Sequence, residues 1–265
     1  MSDAPVVPRP AATLLLARDG AAGVEVLMVR RHDASGFAAG AMVFPGGVVH
    51  AEDGDPRLRA RCHGLDRLPP ALASSGVAAI RETFEECGVL LARRAGGAPI
   101  AGAAHAALVA RHQTAVAAHA EAWLDMILAE DLEVACEHLV PFAHWITPES
   151  RPKRFDTHFF LAPAPVDQIP AHDAREAVEA LWVEPRALVA AADAGTYRLV
   201  FATRMNLLKL AASPTVEAAL AAARASRIVT VVPRSEQRAE GLVMRIPLEA
   251  GYGVDVVPAD NIPRA

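Results

Sequence analysis

Cysteine is scarce. The three in 265 residues, Cys62, Cys87 and Cys136, are odd in number and widely spaced, which argues against a disulfide framework and points to a reducing compartment, the cytoplasm. Cys62-His63 has no partner at metal-ligand spacing. Long hydrophobic runs are missing too: no apolar stretch is long enough to span a bilayer, which predicts no membrane partner. The first residues, MSDAPVVPRPAATLLLARDG, lack the basic start and extended apolar region of a secretory signal. The last three, Pro-Arg-Ala, are not a peroxisomal address. Nor is there an excess of positive charge. A net charge of −5 and a pI near 6.1 leave no footprint for nucleic acid or an anionic membrane. A phosphorylated ligand would therefore need local basic groups or a metal ion.

What is present is the makings of an ordered globular chain: 52% hydrophobic residues, at a length that buries one substantial core or one domain with a large insertion. After a Pro-rich start, ATLLLAR and GVEVLMVRR read as paired strands around Asp19-Gly20, followed by a strand that ends in the tight turn of MVFPGG. VLLARR reads as a further strand. Residues 103–130 are Ala-rich, without internal Pro or Gly, and predict two helices. HLVPFAHWITP, RFDTHFFLAP and REAVEALWVEP read as strands, with Trp182 expected in the core. Helices are predicted over 185–194, 201–212 and 214–225, and the tail predicts a hairpin of two apolar runs about SEQRAEG. Strands interleaved with two helical groups imply an α/β fold with a mixed sheet between helices. His105, His112 and His119 recur every seven residues, about 10 Å apart along a helix axis and too far for one ion, which predicts a solvated or subunit-packing face. Oligomeric state is left open, a homodimer included.

One stretch concentrates charge. In AIRETFEECGV, helical spacing puts Glu82, Glu85 and Glu86 on one side and Ile80, Phe84 and Cys87 on the other. Carboxylates roughly 6 Å apart repel by about 3 kcal/mol at an effective dielectric of 20, more than Arg81 alone offsets for three acids. A divalent cation would restore the balance, and hard cations such as Mg²⁺ share oxygen ligands with substrate phosphates. Upstream, MVFPGGVVH supplies Gly46 and Gly47, where backbone can approach a ligand closely.

Together these pieces resemble the Nudix box. Gly47 opens it, and Arg81, Glu82, Glu85, Glu86, Gly88 and Val89 close it. A chance Arg-Glu-x-x-Glu-Glu-x-Gly in a chain of this length has a probability on the order of 10⁻⁴. The departures are Asp53 in place of the first Glu, Thr83 at an apolar position, and 27 residues instead of seven between Asp53 and Arg81. The chain is identified as similar to a Nudix branch with an interrupted box that includes peroxisomal coenzyme A diphosphatases. RFDTHFFLA and the tail segment VVPRSEQRAEGLVMRIPLEAGYG resemble that branch as well.

The resemblance implies a Nudix-type α/β/α sandwich with a helical insertion and a C-terminal extension. Its domain would cover 1–225, with the box split at 54–76 by a loop and a helical insert at 103–130, and 226–265 packed on the same domain. It also implies a metal-dependent diphosphatase acting on a small-molecule nucleoside diphosphate derivative by attack of ion-activated water. Glu82 and Glu86 would bind Mg²⁺ or Mn²⁺, with the Gly46 and Gly47 carbonyls as further ligands, and Glu85 would complete the cluster or act as base. Arg81 would orient Glu85. Glu176 or Glu179 is the acid expected outside the box; the two point to opposite faces of a strand, so one alone can serve. The signature of coenzyme A-cleaving members is matched at Gly40 and at Phe44 to Gly47, but Gly36 stands at its Arg, which leaves Arg30 or Arg31 as substitutes. Lys153 and Arg154, like Arg57, Arg59, Arg61 and Arg67 of the insertion, are candidates for the 3′-phosphate of coenzyme A. ADP-ribose, a dinucleotide or a nucleotide sugar is the alternative substrate, and a non-catalytic nucleotide sensor the alternative function.

Overall fold

Alternation sets the centre of the molecule. Along the strand Arg9–Gly20, Ala12, Leu14 and Leu16 turn into one core cluster while Leu15 and Ala17 turn into another, and all five are fully buried. Its neighbour Gly23–Arg31 repeats the pattern, with Leu27 and Val29 on the first side and Val26 and Met28 on the second. A strand apolar on both faces has to lie inside a layered structure. The computed structural model, which describes residues 6–32, 38–119, 121–170, 177–239 and 241–258, has that arrangement.

Among the described residues the central sheet runs Arg198–Leu199, Ala41–Val43, Gly23–Arg31, Arg9–Gly20, Phe155–Pro163, Val140–Ile146, Thr230–Val231. Ala177–Val183 also pairs with Gly23–Arg31, and Gly46–Val48 with Arg9–Gly20. The sheet is mixed: Arg9–Gly20 is parallel to Phe155–Pro163 and antiparallel to Gly23–Arg31. The helix Ala73–Cys87 covers one face through Ile80, Phe84 and Cys87, and Gly102–Val116 and Glu121–Ala129 pack outside it. Pro185–Asp193, Phe201–Leu210 and Val216–Ala225 cover the other face. This is the expected α/β/α sandwich. Trp182 packs against the first cluster, with the Arg18 guanidinium 4.3 Å above its ring.

Two segments differ from their sequence reading. The stretch 54–76, read as a loop, is folded. It holds the short helix Pro56–Arg59 and the strand Cys62–His63, which pairs with Leu132–Ala135, and it supplies the first turn of the Ala73–Cys87 helix. Leu58 and Leu68 are its anchors in the core, so its polar composition reflects only its outer side. In the tail, the first hairpin strand is the polar Arg234–Arg238 itself, paired with Gly241–Arg245. Thr230–Val231, in the preceding apolar run, joins the main sheet beside His144 and Trp145 instead. Pro233 lies between the two strands, and Glu236 ties the polar strand together through Arg238 and Arg245, each at 3.0 Å. Ile246 and Ala250 then enter the second core cluster, with Met244 packed against it. A relay from Trp145 Nε1 to Tyr252 Oη, at 2.7 Å, and on to Asn206 Oδ1, at 2.8 Å, fastens the tail to the sheet.

Candidate active site

The helix Ala73–Cys87 places the acidic motif. Thr83, out of pattern in the sequence, is fully buried and donates its hydroxyl to the Ala79 carbonyl at 2.7 Å, so it occupies the core without an unmet polar group. The helix ends at Gly88, whose φ of 66° is left-handed and whose N–H closes on Phe84 O at 2.9 Å. Two side chains of the helix Gly102–Val116 complete that end: His105 Nε2 donates to Gly88 O at 2.6 Å and Gln113 Nε2 to Glu85 O at 3.0 Å. The seven-residue histidine series therefore forms no common face. His105 is buried, with its pKa lowered by burial against the opposing effect of its bond to Gly88 O; His112 meets Glu130 at 2.8 Å; and His119 reaches the cleft described below.

Arg81 is the hub of the acidic side. Its Nε and Nη2 grip the two oxygens of Asp53 at 2.8 and 3.0 Å, its Nη1 bonds Glu82 at 2.9 Å and Glu85 at 2.7 Å, and its Nη2 also bonds Val48 O at 2.9 Å. Burial alone would lower the Arg81 pKa, but Asp53, Glu82 and Glu85 outweigh it and the pKa is raised. Asp53, one methylene shorter than the box Glu, thus serves as the buried counter-ion of Arg81 and also accepts from His50 N at 2.8 Å. Glu86 accepts from Gly46 N at 3.1 Å and lies 3.9 Å from Arg31. Glu82 presses on Gly47, where any Cβ would come within 2.5 Å of its carboxylate. Burial raises the Glu82 pKa; Arg81 opposes this and Glu85 adds to it.

The donor set fits a divalent cation. Asp53, Glu82 and Glu85 share the single guanidinium of Arg81, Glu86 lies 3.9 Å from Arg31, and Asp53, Glu82 and Glu86 are buried. Burial first, and the neighbouring Glu85 second, raise the Glu82 pKa, so a bound cation would relieve a carboxylate that is costly to ionise there, and its oxygens are of the hard kind that Mg²⁺ or Mn²⁺ takes.

A cleft of about 1450 Å³ opens from this cluster. Gly46, Gly47, Arg81, Glu82, Glu85 and Glu86 line one end, with Arg31 and Phe44 beside them. Its wall is apolar and aromatic, from Trp145, Phe155, Phe159 and Phe201, and the tail hairpin adds Leu242 and Met244. Other predicted residues lie elsewhere. Arg30 and Glu179 face each other across two strands at 3.4 Å, and neither lines the cleft. Arg154 is buried, with its guanidinium on Thr147 O at 3.0 Å and Val6 O at 2.6 Å. Lys153 is exposed away from the cleft. Of the insertion arginines, Arg57 meets Asp55 at 2.8 Å and Arg61 meets Asp131 at 2.5 Å, and Arg59 and Arg67 do not line the cleft either. Glu176 and Gly36 lie outside the described residues. Besides Arg31 and Arg81, the arginines that line the cleft among the described residues are Arg9, Arg151 and Arg234, and an acid outside the box, Glu149, joins them. The sequence reading passed over all four. Arg151 and Glu149 stand within four residues of Lys153 and could have been singled out with it, whereas nothing local marks Arg9 or Arg234.

A family model described as the NUDT19 Nudix domain matches residues 58–196. An acyl-coenzyme A diphosphatase NUDT19 of Gallus gallus is 30% identical over 213 residues, covering 63% of this chain and 55% of the relative. A putative nudix hydrolase 7 of Caenorhabditis elegans is 32% identical over 178 residues, covering 66% and 51% respectively. The chain thus spans about half the length of these curated relatives. The crystal structure of a NUDIX hydrolase from Alicyclobacillus acidocaldarius superposes with a TM-score of 0.73 at 29% identity, covering 82% of this chain and 97% of that one.

Proposed function

Because this chain belongs to the Nudix hydrolase family through a domain of the NUDT19 type, we propose that it hydrolyses the diphosphate of coenzyme A or an acyl-coenzyme A to 3′,5′-ADP and (acyl-)4′-phosphopantetheine. The observation that carries this reading is the make-up of the cleft. The carboxylates share their cleft with apolar and aromatic side chains and, besides Arg81, with four arginines, Arg9, Arg31, Arg151 and Arg234. Its volume exceeds the roughly 300–1,000 Å³ of ordinary small-molecule sites, which suits an elongated ligand with a charged nucleotide and an apolar arm.

In the reaction, water attacks one phosphorus, the bond from that phosphorus to the bridging oxygen breaks, and each half leaves as a phosphate monoester. The barrier is one of charge and positioning. Glu82 and Glu86, with the carbonyls of Gly46 and Gly47, would hold Mg²⁺ or Mn²⁺. Such an ion neutralises developing phosphate charge and makes water a stronger nucleophile. Arg81 is a positioning residue: its bonds to Asp53, Glu82 and Glu85 fix the carboxylates before substrate arrives. The proton from water goes to Glu85 or to Glu149, and the pH profiles of Glu85→Gln and Glu149→Gln separate the two by which one loses its acidic limb.

The test is a metal-supplemented comparison of coenzyme A, dephospho-coenzyme A and ADP-ribose, with both products identified by mass. If an arginine of the cleft binds the 3′-phosphate, dephospho-coenzyme A should be cleaved with kcat/KM lower by roughly ten- to a hundredfold, the worth of a charge-assisted contact of about 1.5–3 kcal/mol. Equal efficiency on the first two, or turnover of ADP-ribose alone, would overturn the coenzyme A assignment in favour of a general nucleoside diphosphate hydrolase. No turnover of any diphosphate would make the chain a nucleotide sensor.

A further inference from the structure

Away from the cleft, on the opposite side of the same strands, three side chains converge. His144 and His158 are register partners on Val140–Ile146 and Phe155–Pro163, and Asp156 stands two residues before His158, so strand alternation puts all three on one face. The His144 and His158 rings stack at 4.0 Å with 7° between planes, and His144 Nε2 lies 2.5 Å from Asp156 Oδ1. One ligand atom from each of the three falls within 4.8 Å of the other two, an arrangement that occurs once among the described residues. A third strand takes part: Thr230, the register partner of His144, has its Oγ1 2.8 Å from His144 Nδ1.

We infer that His144, His158 and Asp156 form a binding site for a divalent transition-metal ion of the zinc class, separate from the acidic cluster of the box. Two imidazoles and one carboxylate with a position left for water is a common donor set for such ions, which favour nitrogen where Mg²⁺ favours oxygen. The bond to Thr230 supplies the outer contact that a metal-binding histidine ordinarily makes: with Nδ1–H donated to Oγ1, Nε2 is left to bind. The metal would take the place of the contact between Nε2 and Asp156 Oδ1. Bonds of 2.0–2.1 Å need ligand atoms about 3.4 Å apart. The cluster must therefore tighten, and one of the two stacked rings, whose parallel planes cannot both contain one ion, must turn, by rotation of side chains that are only partly buried, with Asp156 39% exposed and His144 15%. The same exposure gives the ion its way in. Phe155 and Thr157, on either side of Asp156, line the cleft from the other face, and Val232 follows Thr230 by two residues. An ion here would thus pin the sheet edge against which the substrate cleft is built.

The experiment is a zinc titration of the full chain in excess Mg²⁺, read by calorimetry and by metal analysis after desalting. One zinc per chain is expected in the wild type and in Glu86→Gln. His158→Phe, which keeps a stacked ring, and Asp156→Asn, which keeps shape, should both lose that equivalent. Thr230→Val should bind it about tenfold more weakly. With Co²⁺ in place of zinc, the visible absorption of a nitrogen-ligated site should appear in the wild type and vanish in His158→Phe. Unchanged binding in both His158→Phe and Asp156→Asn would overturn the assignment, as would loss of the zinc equivalent in Glu86→Gln, which would put the ion in the box.

Discussion

Asp53 and Arg81 are 28 residues apart in the chain, yet their pair is among the most deeply buried ionic contacts in the molecule, with side chains 1% and 2% exposed. The sequence marked Asp53 as a departure from the box; the structure gives the departure a role, because a two-oxygen grip on Arg81 leaves Nη1 for Glu82 and Glu85. Removing one side of such a pair strands a buried charge, so Asp53→Ala should destabilise the fold by about 3 kcal/mol or more, read by chemical denaturation. A loss under about 1 kcal/mol would mean that Glu82 and Glu85 suffice for Arg81. Glu86→Gln is the contrasting case. It keeps volume and can keep the contact to Gly46 N, so the midpoint of unfolding should stay close to wild type while turnover falls at least about a hundredfold. Saturating Mg²⁺ should raise the melting temperature of the wild type, since the ion binds the folded acidic cluster alone, and should do so much less in Glu86→Gln.

At the scale of elements, the acidic helix was legible because its two faces obey one period, with Ile80, Phe84 and Cys87 inward and the glutamates at i, i+3 and i+4. What the period could not carry was how the helix is held at its end. His105 looked like one of three equivalent histidines on an exposed face, and only the crossing of two helices makes it the donor to Gly88 O. The packing of the insertion 54–76 is hidden for a related reason: composition reports the outer side of a segment, and nothing local shows that Leu58 and Leu68 reach the core. The His105 contact has a pH signature. Its folded pKa is depressed by burial, so the unfolded chain binds the proton more readily, and stability present above about pH 6.5 is lost as pH falls through the folded value. His105→Gln keeps a donor without a titrating ring and should flatten the decline in unfolding free energy between about pH 6.5 and pH 5. An equal slope in wild type and variant would assign the decline to other groups.

For the molecule as a whole, the carboxylate end of the cleft was readable because it lies within one motif, whereas its walls come from five segments scattered over the chain. Arg9 starts the first long strand, Arg31 ends the second, Arg151 lies in the turn between two sheet strands, Phe201 begins a helix, and Arg234, Leu242 and Met244 belong to the tail hairpin. No local pattern ties these together; only the sheet order does. The tail is the informative part, since it both fills the second core cluster through Ile246 and Ala250 and presents Arg234 and Leu242, exposed, to the cleft. Substitution of those two exposed residues can therefore test substrate contact without disturbing the core. Arg234→Gln should raise KM for coenzyme A by roughly tenfold with kcat nearly unchanged, because a distant phosphate contact is made equally in the ground and transition states. Leu242→Asp should do the same for acyl-coenzyme A, and neither should alter hydrolysis of a short diphosphate that does not reach the hairpin. A drop in kcat with unchanged KM would place the hairpin in the chemistry itself, and no effect on either constant would leave Arg9, Arg31 and Arg151 to hold the nucleotide.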